Sequence, residues 1–370
     1  MRLKHLAIAG FRNIGMVRVM PGERFNLLYG LNGQGKTNLL EAIYLLGSPR
    51  SFRNSRFPDL IRHGERTALI HGAIESGGTR SNIKLSLETI GRRVEIDGKA
   101  VQRASDLHGR LNAVVFSPDD TGMVRMGPDA RRRYLDRAVY TGNIGYLQSW
   151  HNYHRILKQR NHLLKSSDRS GLDTWTEQLA EAGAEVIEQR RRFVLQLNDT
   201  LQLYYAMISG GSESAGICYR PEGVQADGRE CIRAELLELF AKHGRSDERY
   251  GTTTAGPHRD DLTLTLDNRP LKSFGSQGQQ KSFVLALKMA EIDNLQAIFN
   301  EPPLLLLDDM GSELDAVRNR NLMNFLMSRD IQVFMTTTEQ TPALLGAVAQ
   351  CAVFRVEDGN LTFEGNESHE

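Results

Sequence analysis

The sequence is poor in cysteine and contains only short apolar runs. Its three cysteines, Cys218, Cys231 and Cys351, are too few and too far apart for a disulfide framework or a Cys-x-x-Cys pair. No apolar run approaches the roughly 20 residues that cross a bilayer, and the N-terminus lacks an apolar stretch of signal-peptide length. We therefore expect a cytoplasmic protein that makes no membrane contact.

The chain also lacks a net charge that could attract a polyanion over its whole surface. Its 46 basic and 45 acidic residues leave a formal charge of +1, so contact with a nucleic acid must come from a local patch. Between 125 and 165, nine basic residues face two acidic ones, a net +7. Such runs are often only solvated surface. The candidates for DNA contact are Arg131, Arg132, Arg133, Arg155, Lys158 and Arg160.

Hydrophobic patterns divide the chain into a split α/β part and a helical part. Short apolar strands and one helix occupy the first 120 residues, and α/β patterns return after 252. Between them, apolar residues recur at helical spacing, and a polar stretch at 165–173 would join two long helices into an antiparallel hairpin. We expect a head formed by 1–120 together with 252–370, with a helical, coiled-coil-like lobe inserted at 121–251.

The segment GLNGQGKT at 30–37, here called the phosphate loop, fits G-x-x-x-x-G-K-[ST] in full. It follows the apolar run FNLLY and precedes a helical pattern. This position between a strand and a helix favours a phosphate loop over an ordinary glycine-rich turn. Backbone N–H groups of such a loop bind phosphate oxygens, a lysine adds a positive charge, and a threonine ligates Mg²⁺. The predicted nucleotide contacts are Gly30, Leu31, Asn32, Gly33, Gln34, Gly35, Lys36 and Thr37.

Two carboxylates follow the apolar run LLLL at 304–307. Ligands of α/β sheets bind at the carboxyl ends of strands. We expect Asp308 to hold Mg²⁺ through water and Asp309 to polarise the attacking water, so that Asp309 and Lys36 are the catalytic residues. Alone, this pair could equally cap a helix.

A second glycine-and-amide loop, GSQGQQKS, lies at 275–282. Its SQGQ core resembles the signature loop of ABC-type ATPases, and SELD at 312–315 resembles their D-loop. The resemblance implies that Ser276, Gly278 and Gln279 bind the γ-phosphate of ATP held by a second copy of the chain. The alternative is a plain helix cap with Ser276 as its first residue.

Further segments narrow the resemblance. LKHLAIAGFRNI at the N-terminus, RSFR at 50–53, GPDARRRYLD at 127–136, GPHRDDL at 256–262 and LLLLDDMGSELD resemble the RecF family of recombination mediators, in the family's order and over nearly the whole chain. The fold implied is an ABC-type ATPase head, with a phosphate-loop core and a flanking antiparallel sheet. The resemblance also implies that Arg12 reaches toward the nucleotide.

The activity implied is ATP-dependent DNA binding in bacterial gap repair and replication-fork maintenance. ATP and Mg²⁺ would drive a homodimer that binds single-stranded and gapped duplex DNA, and the protein would work with RecR and RecO to help RecA load. Ser117-Pro118 replaces the glutamine usual in transporters, and the switch histidine is missing, leaving Thr337 or Thr338 as polar substitutes. We therefore expect a weak, DNA-dependent ATPase whose slow hydrolysis serves as a release timer.

Other readings remain open. A phosphate loop also serves small-molecule kinases, but these gain nothing from a signature loop; a transport ATPase subunit is disfavoured by the helical insertion. The helical spacing of Tyr146, Trp150 and Tyr153 favours core packing. For the HRDD residues at 258–261 we favour a salt-bridged turn over a catalytic or DNA-binding role.

Overall fold

The computed structural model describes residues 1–48, 50–53, 55–101, 104–166, 168–211, 213–309, 316–338 and 351–367. The chain divides into two compact units. The first unit comprises Met1–Asp120, Met207–Gly210 and Val284–Glu370, and the second comprises Thr121–Ala206 and Gly211–Phe283.

One sheet of the first unit is an antiparallel layer with strand order β2-β1-β4-β5-β6-β7. These strands are β1 (Arg2–Phe11), β2 (Ile14–Val19), β4 (Ala68–Ser76), β5 (Thr79–Glu88), β6 (Gly91–Ile96) and β7 (Lys99–Val101). In β5 the alternating residues Ile83, Leu85 and Leu87 are buried, as expected of a sheet with one face on the core. The Asp-Gly turn at 97–98 has positive φ at both residues, as a two-residue hairpin requires.

The second sheet of this unit supplies the strand ends around the phosphate loop. Its order is β15-β14-β3-β13-β12-β8, and all neighbours are parallel except β14 and β15. The strands are β3 (Phe25–Tyr29), β8 (Ala113–Phe116), β12 (Leu304–Leu307), β13 (Val333–Thr337), β14 (Cys351–Glu357) and β15 (Asn360–Glu367). All four β12 leucines are buried, which fits a parallel strand covered on both faces. The segments that follow β3, β12 and β13 therefore meet at one edge.

The described helices are α1 (Lys36–Leu45), α2 (Phe57–Leu60), α3 (Pro118–Arg125), α4 (Pro128–Gly142), α5 (Ile144–Lys165), α6 (Leu172–Ser209), α7 (Arg229–Tyr250), α8 (Leu271–Phe274), α9 (Gln277–Phe299) and α10 (Ala316–Met327). Leu40 and Ile43 of α1 share one buried cluster with Ile8 and Ile70 of the antiparallel sheet and Leu306 of the parallel sheet. Both sheets therefore fix the helix that starts at the phosphate loop. Within the described ranges, no helix is long and apolar enough to span a membrane.

The second unit contains the predicted helical hairpin. Ser149 Oγ of α5 lies 2.6 Å from Glu185 Oε1 of α6, and Arg160 Nε lies 3.0 Å from Thr176 Oγ1. A later residue of α5 thus contacts an earlier residue of α6. The two helices are therefore antiparallel, as predicted.

The division of the chain differs from the predicted boundary at 251. The second unit continues to Phe283, because β10 (Asp261–Leu266) pairs with β9 (Ala215–Arg220) and β11 (Arg269–Pro270) in a separate three-stranded sheet. The alternating hydrophobicity of LTLTL at 262–266 indicates a strand but does not determine which sheet the strand joins. The second glycine-and-amide loop therefore belongs to this unit.

Candidate nucleotide-binding site

The phosphate loop joins β3 to α1 through glycines at positions where any other residue would be strained. Gly30 has φ 155°, and a Cβ there would lie 2.2 Å from the Val356 carbonyl oxygen. Gly35 has φ 111°, and a Cβ there would lie 2.6 Å from Asn13 Oδ1. Positive φ favours glycine at both positions, and at Gly30 the close backbone of Val356 does so as well. Leu31, Asn32 and Gly33 between them are exposed, so the loop's outer surface is accessible to a ligand.

Lys36 begins α1 and points back over this loop. Its Nζ donates to the carbonyl oxygens of Gly30, at 2.6 Å, and Leu31, at 2.9 Å. Burial lowers the pKa of Lys36, and the charges of Asp309 and Asp308 oppose that shift. The ammonium group is therefore held where the loop meets the two predicted carboxylates.

Thr37 and Asp308 are in direct contact. The Thr37 hydroxyl donates to the Asp308 carboxylate, with distances of 2.8 Å to Oδ1 and 3.0 Å to Oδ2. Burial raises the pKa of Asp308, while hydrogen bonds from Thr37 and Thr336 oppose the rise. The structure thus brings together the two residues predicted to hold Mg²⁺, although they lie 271 positions apart.

A residue that the sequence did not single out completes this cluster. Thr336 Oγ1 lies 2.8 Å from Asp308 Oδ1 and accepts the Asp309 backbone N–H at 2.8 Å. Asp309 has φ 52°, a left-handed conformation that aspartate tolerates better than most residues. Of the two threonines predicted to replace the switch histidine, Thr337 is buried and Thr338 is exposed. Because Thr336 is one of three consecutive threonines, the sequence does not distinguish it from its neighbours.

Arg12 is engaged by the protein itself. It has φ 54°; its Nε and Nη2 bond to Glu41 at 3.0 and 2.9 Å, and its Nη1 bonds to the Asp59 carbonyl oxygen at 2.9 Å. Glu41 is completely buried, so the pair anchors the turn between β1 and β2 to α1. A nucleotide contact by Arg12 would have to compete with this ion pair.

The neighbouring Asn13 braces the phosphate loop, a role that sequence reasoning missed. Asn13 Nδ2 donates to the Gln34 carbonyl oxygen at 3.0 Å, and Asn38 Nδ2 donates to Asn13 Oδ1 at 2.8 Å. From the turn between β14 and β15, the Asp358 and Gly359 N–H groups donate to Gln34, at 2.5 Å to its side chain and 2.9 Å to its carbonyl oxygen. Gln34 is therefore fixed by the fold.

The second glycine-and-amide loop forms a helix cap at the start of α9. Ser276 Oγ accepts the Gln279 N–H at 3.2 Å, and Gln279 Oε1 accepts the Ser276 N–H at 2.7 Å. This reciprocal pair is a capping box, as the plain-cap alternative predicts. Ser276 is exposed and Gly278 is half-buried, so the helix N-terminus, which favours anions, remains accessible. The SELD segment lies outside the described residues.

The close approach of Leu271 explains why a glycine, Gly275, precedes Ser276. A Cβ at this position would lie 2.7 Å from the Leu271 carbonyl oxygen and 2.6 Å from Leu271 Cδ1. The short helix α8 therefore leaves no room for a side chain before Ser276.

Only part of the predicted basic patch faces solvent. Arg160 is buried and pairs with Asp247 at 2.7 Å, and Arg131 is buried in a two-bond pair with Asp261 at 2.7 and 2.8 Å. Both guanidinium groups are paired inside the fold. Arg131 and Arg160 are therefore removed from the predicted patch of exposed basic residues. The half-buried Arg132 bonds to the Asp260 carbonyl oxygen and to Asp129, whereas Arg133, Arg155 and Lys158 are exposed.

Three side chains of the HRDD turn, those of His258, Asp260 and Asp261, bond to groups within the fold. His258 Nδ1 lies 2.7 Å from Tyr153 Oη and its Nε2 lies 3.0 Å from the Thr253 carbonyl oxygen. Burial lowers the pKa of His258 to about 4. Asp260 is buried and accepts from Tyr219. Tyr146 and Tyr153 are buried, which confirms their core role, and Trp150 is half-buried with its Nε1 3.0 Å from Asp136.

The donor set at the edge of the parallel sheet fits a polyphosphate and a hard divalent cation. Loop N–H groups, the α1 N-terminus and Lys36 favour anions. The oxygens of Thr37 and Asp308 are the ligand type that Mg²⁺ prefers. Asp309, at the same strand end, is placed next to this pair.

The chain matches the family described as "RecF/RecN/SMC N terminal domain" over residues 2–362. It is 50% identical over 369 residues to the DNA replication and repair protein RecF of Trichlorobacter lovleyi, covering 99% of each chain. It is 49% identical to RecF of Geobacter metallireducens, covering 96% of this chain and 98% of that one.

Solved structures agree with the sequence matches. A structure of the recombination mediator protein RecF with ATP in the RecFOR pathway superposes with a TM-score of 0.88 at 30% identity, covering 98% of this chain and 99% of that one. An Smc head bound to a domain of ScpA has a TM-score of 0.58 at 16% identity, covering 100% and 98%, and it supports the fold alone. The expected ATPase-head fold with a flanking antiparallel sheet and a helical lobe is confirmed, and the chain belongs to the RecF family of DNA replication and repair proteins.

Proposed function

We propose that this protein is an ATP-dependent DNA-binding protein of recombinational gap repair and replication-fork maintenance, in which ATP drives a head-to-tail homodimer. The contact between Thr37 and Asp308 at 2.8 and 3.0 Å carries the proposal. It joins the end of the phosphate loop to the end of β12, which is the pair of groups that a Mg²⁺-dependent ATPase needs in one place.

Each group at the site has a defined task. The phosphate loop, residues 30–37, binds the β- and γ-phosphates of ATP through its N–H groups, and Lys36 adds a positive charge. Thr37 directly, and Asp308 through water, would hold Mg²⁺, which when bound would neutralise charge on the transferred phosphoryl group. Asp309 orients and polarises the attacking water. Arg12 holds the turn between β1 and β2 to α1 through Glu41 and would reach nucleotide only by leaving that pair.

The dimer follows from the second loop. The exposed Ser276 hydroxyl and the N–H group at Gly278 lie at the accessible N-terminus of a 23-residue helix, a site that favours phosphate. The Gln279 N–H would have to leave Ser276 Oγ to join them. In the proposed dimer this N-terminus caps the γ-phosphate of ATP on the other copy. Hydrolysis is slow because a threonine replaces the histidine of faster ABC-type enzymes, and it times release from DNA.

DNA binding is assigned to the exposed basic residues of α4 and α5, namely Arg133, Arg155 and Lys158. Single-stranded and gapped duplex DNA are the proposed ligands, and they would stimulate ATP turnover. The RecF relative is described as part of a RecFOR pathway; for this chain we propose RecR as the direct partner, with RecO and RecA acting downstream, in the cytoplasm.

Molar mass measured in solution tests the dimer. Without nucleotide the protein should be monomeric, and with Mg²⁺ and a non-hydrolysable ATP analogue it should be dimeric. Ser276→Arg should keep nucleotide binding and lose the dimer and ATP hydrolysis. The matched control is Ser273→Arg, an exposed serine three residues earlier, which should dimerise normally. A dimer formed by Ser276→Arg would exclude the arrangement.

A DNA titration tests the ligand. Gapped, single-stranded and blunt duplex DNA are compared with and without ATP over a range of salt, because phosphate contacts weaken with salt whatever the structure of the DNA. A preference for gapped over blunt DNA that persists at high salt is expected with ATP. Equal affinity for all three substrates at every salt concentration would contradict the gap-repair role.

A further inference from the structure

The Thr336 hydroxyl occupies a central place between the two carboxylate residues. It lies 2.8 Å from Asp308 Oδ1, and the Asp309 N–H donates to it at 2.8 Å. The residue is 2% exposed, so water does not replace either bond readily. One hydroxyl therefore serves as donor to Asp308 and as acceptor for Asp309.

These two hydrogen bonds determine how the carboxylates of Asp308 and Asp309 are oriented. Asp308 Oδ1 receives two hydroxyl donors, one from Thr37 and one from Thr336, which fixes the rotation of the carboxylate. Asp309 has the left-handed φ of 52°, and the bond from its N–H to Thr336 stabilises that conformation. Thr336 thus links the ends of β12 and β13, the two strands that carry the cluster.

We propose that Thr336 is a positioning residue that aligns Asp308 for the divalent cation and Asp309 for the attacking water. The inference rests on the proposed ATPase function. Groups that orient a metal ligand from behind affect metal affinity although they do not touch the metal. The hydroxyl carries the role, so valine, which has the same shape but no hydroxyl, should lose it and serine should retain it.

The test measures Mg²⁺-dependent binding of a fluorescent, non-hydrolysable ATP analogue. Thr336→Val should raise the Mg²⁺ concentration for half-maximal binding by about 10- to 100-fold, with unchanged affinity in EDTA, where the phosphate loop binds alone. Thr336→Ser should stay close to wild type. The control is Thr265→Val, a half-buried strand threonine whose hydroxyl lies 3.3 Å from the Gly216 carbonyl oxygen; it should not change Mg²⁺ dependence.

Thermal unfolding of each variant establishes that it is folded, and if the valine variant is not, Thr336→Ala is measured in its place. A folded Thr336→Val with wild-type Mg²⁺ dependence, or a serine variant impaired as strongly as the valine variant, overturns the role of the hydroxyl. If the wild type itself bound the analogue without regard to Mg²⁺, the proposed function would fail too, so the two failures are distinguishable.

Discussion

Arg160 and Lys158 lie two positions apart on α5, and the structure predicts opposite consequences for removing them. Arg160 is 3% exposed. Its Nη1 bonds to Asp247 and Thr253, each at 2.7 Å, and its guanidinium lies 5.4 Å from the centre of the Phe240 ring. Lys158 is exposed. Arg160→Ala should therefore destabilise the fold, and Lys158→Ala should weaken DNA binding.

The expected loss of stability in Arg160→Ala follows from the burial of the Arg160–Asp247 ion pair. Removing one member of a buried ion pair costs about 3–5 kcal/mol because the other charge stays buried. Asp247 keeps two bonds from Thr254, at 2.8 Å to its N–H and 2.7 Å to its hydroxyl, which favours the lower value. For a domain of this size, about 3 kcal/mol lowers the melting temperature by roughly 6–12 °C. Lys158→Ala should change stability by less than about 0.5 kcal/mol.

Two measurements on both variants separate these effects. Thermal unfolding gives the stability, and duplex DNA affinity measured against salt well below the melting temperature gives the number of phosphate contacts. Lys158→Ala should reduce the salt slope by about 1, and Arg160→Ala should leave it unchanged. Lys99→Glu, an exposed change on β7, is the control for non-specific charge effects. An unchanged melting temperature with a reduced salt slope for Arg160→Ala would refute the assignment.

Three further predictions follow. Asp309→Asn should lower ATP hydrolysis by about 10²–10⁴-fold and retain the ATP-dependent dimer; hydrolysis at the wild-type rate would remove Asp309 from the chemistry. The pKa of His258 is about 4 in the folded protein and about 6.5 in the unfolded chain. The neutral imidazole therefore stabilises the fold by about 3 kcal/mol above pH 6.5. This stabilisation is lost as the pH falls from about 6.5 to about 4. Denaturant unfolding should show a steeper loss of stability between pH 6.5 and 4 for wild type than for His258→Gln, and parallel curves would exclude it. Gly275→Leu should cost about 1–3 kcal/mol by overpacking against Leu271, seen as a lower melting temperature; a more stable variant would contradict the close contact.

Much of the site could be predicted because its motifs are local. A glycine loop between a strand and a helix needs only eight consecutive residues, and Asp308 and Asp309 directly follow a run of four leucines. The capping alternative for Ser276 was also readable, since a capping box spans four residues. Each of these features depends on neighbours in the chain, which a sequence states directly.

The sequence does not show which charged side chains of these helices face the core and which face solvent. In the sequence alone, the buried Arg131, Arg160 and Arg190 cannot be distinguished from the exposed Arg133, Arg155 and Lys158. Yet Arg190 is 1% exposed and bonds to Asp136 Oδ1 at 2.6 Å. Which arginine turns inward depends on where a distant carboxylate lies, because a buried charge is retained only where a partner meets it.

The sequence by itself determined the phosphate loop, the carboxylate pair after the buried strand, and the order of segments by which the chain resembles the RecF family. Tertiary structure alone decided that Thr336 joins Asp308 and Asp309, that Asn13 and the turn after β14 brace Gln34, and that β10 pairs with β9. The physical reason is distance along the chain: hydrogen bonds and strand pairs between residues tens to hundreds of positions apart are set by packing of the whole fold, and no local pattern encodes them.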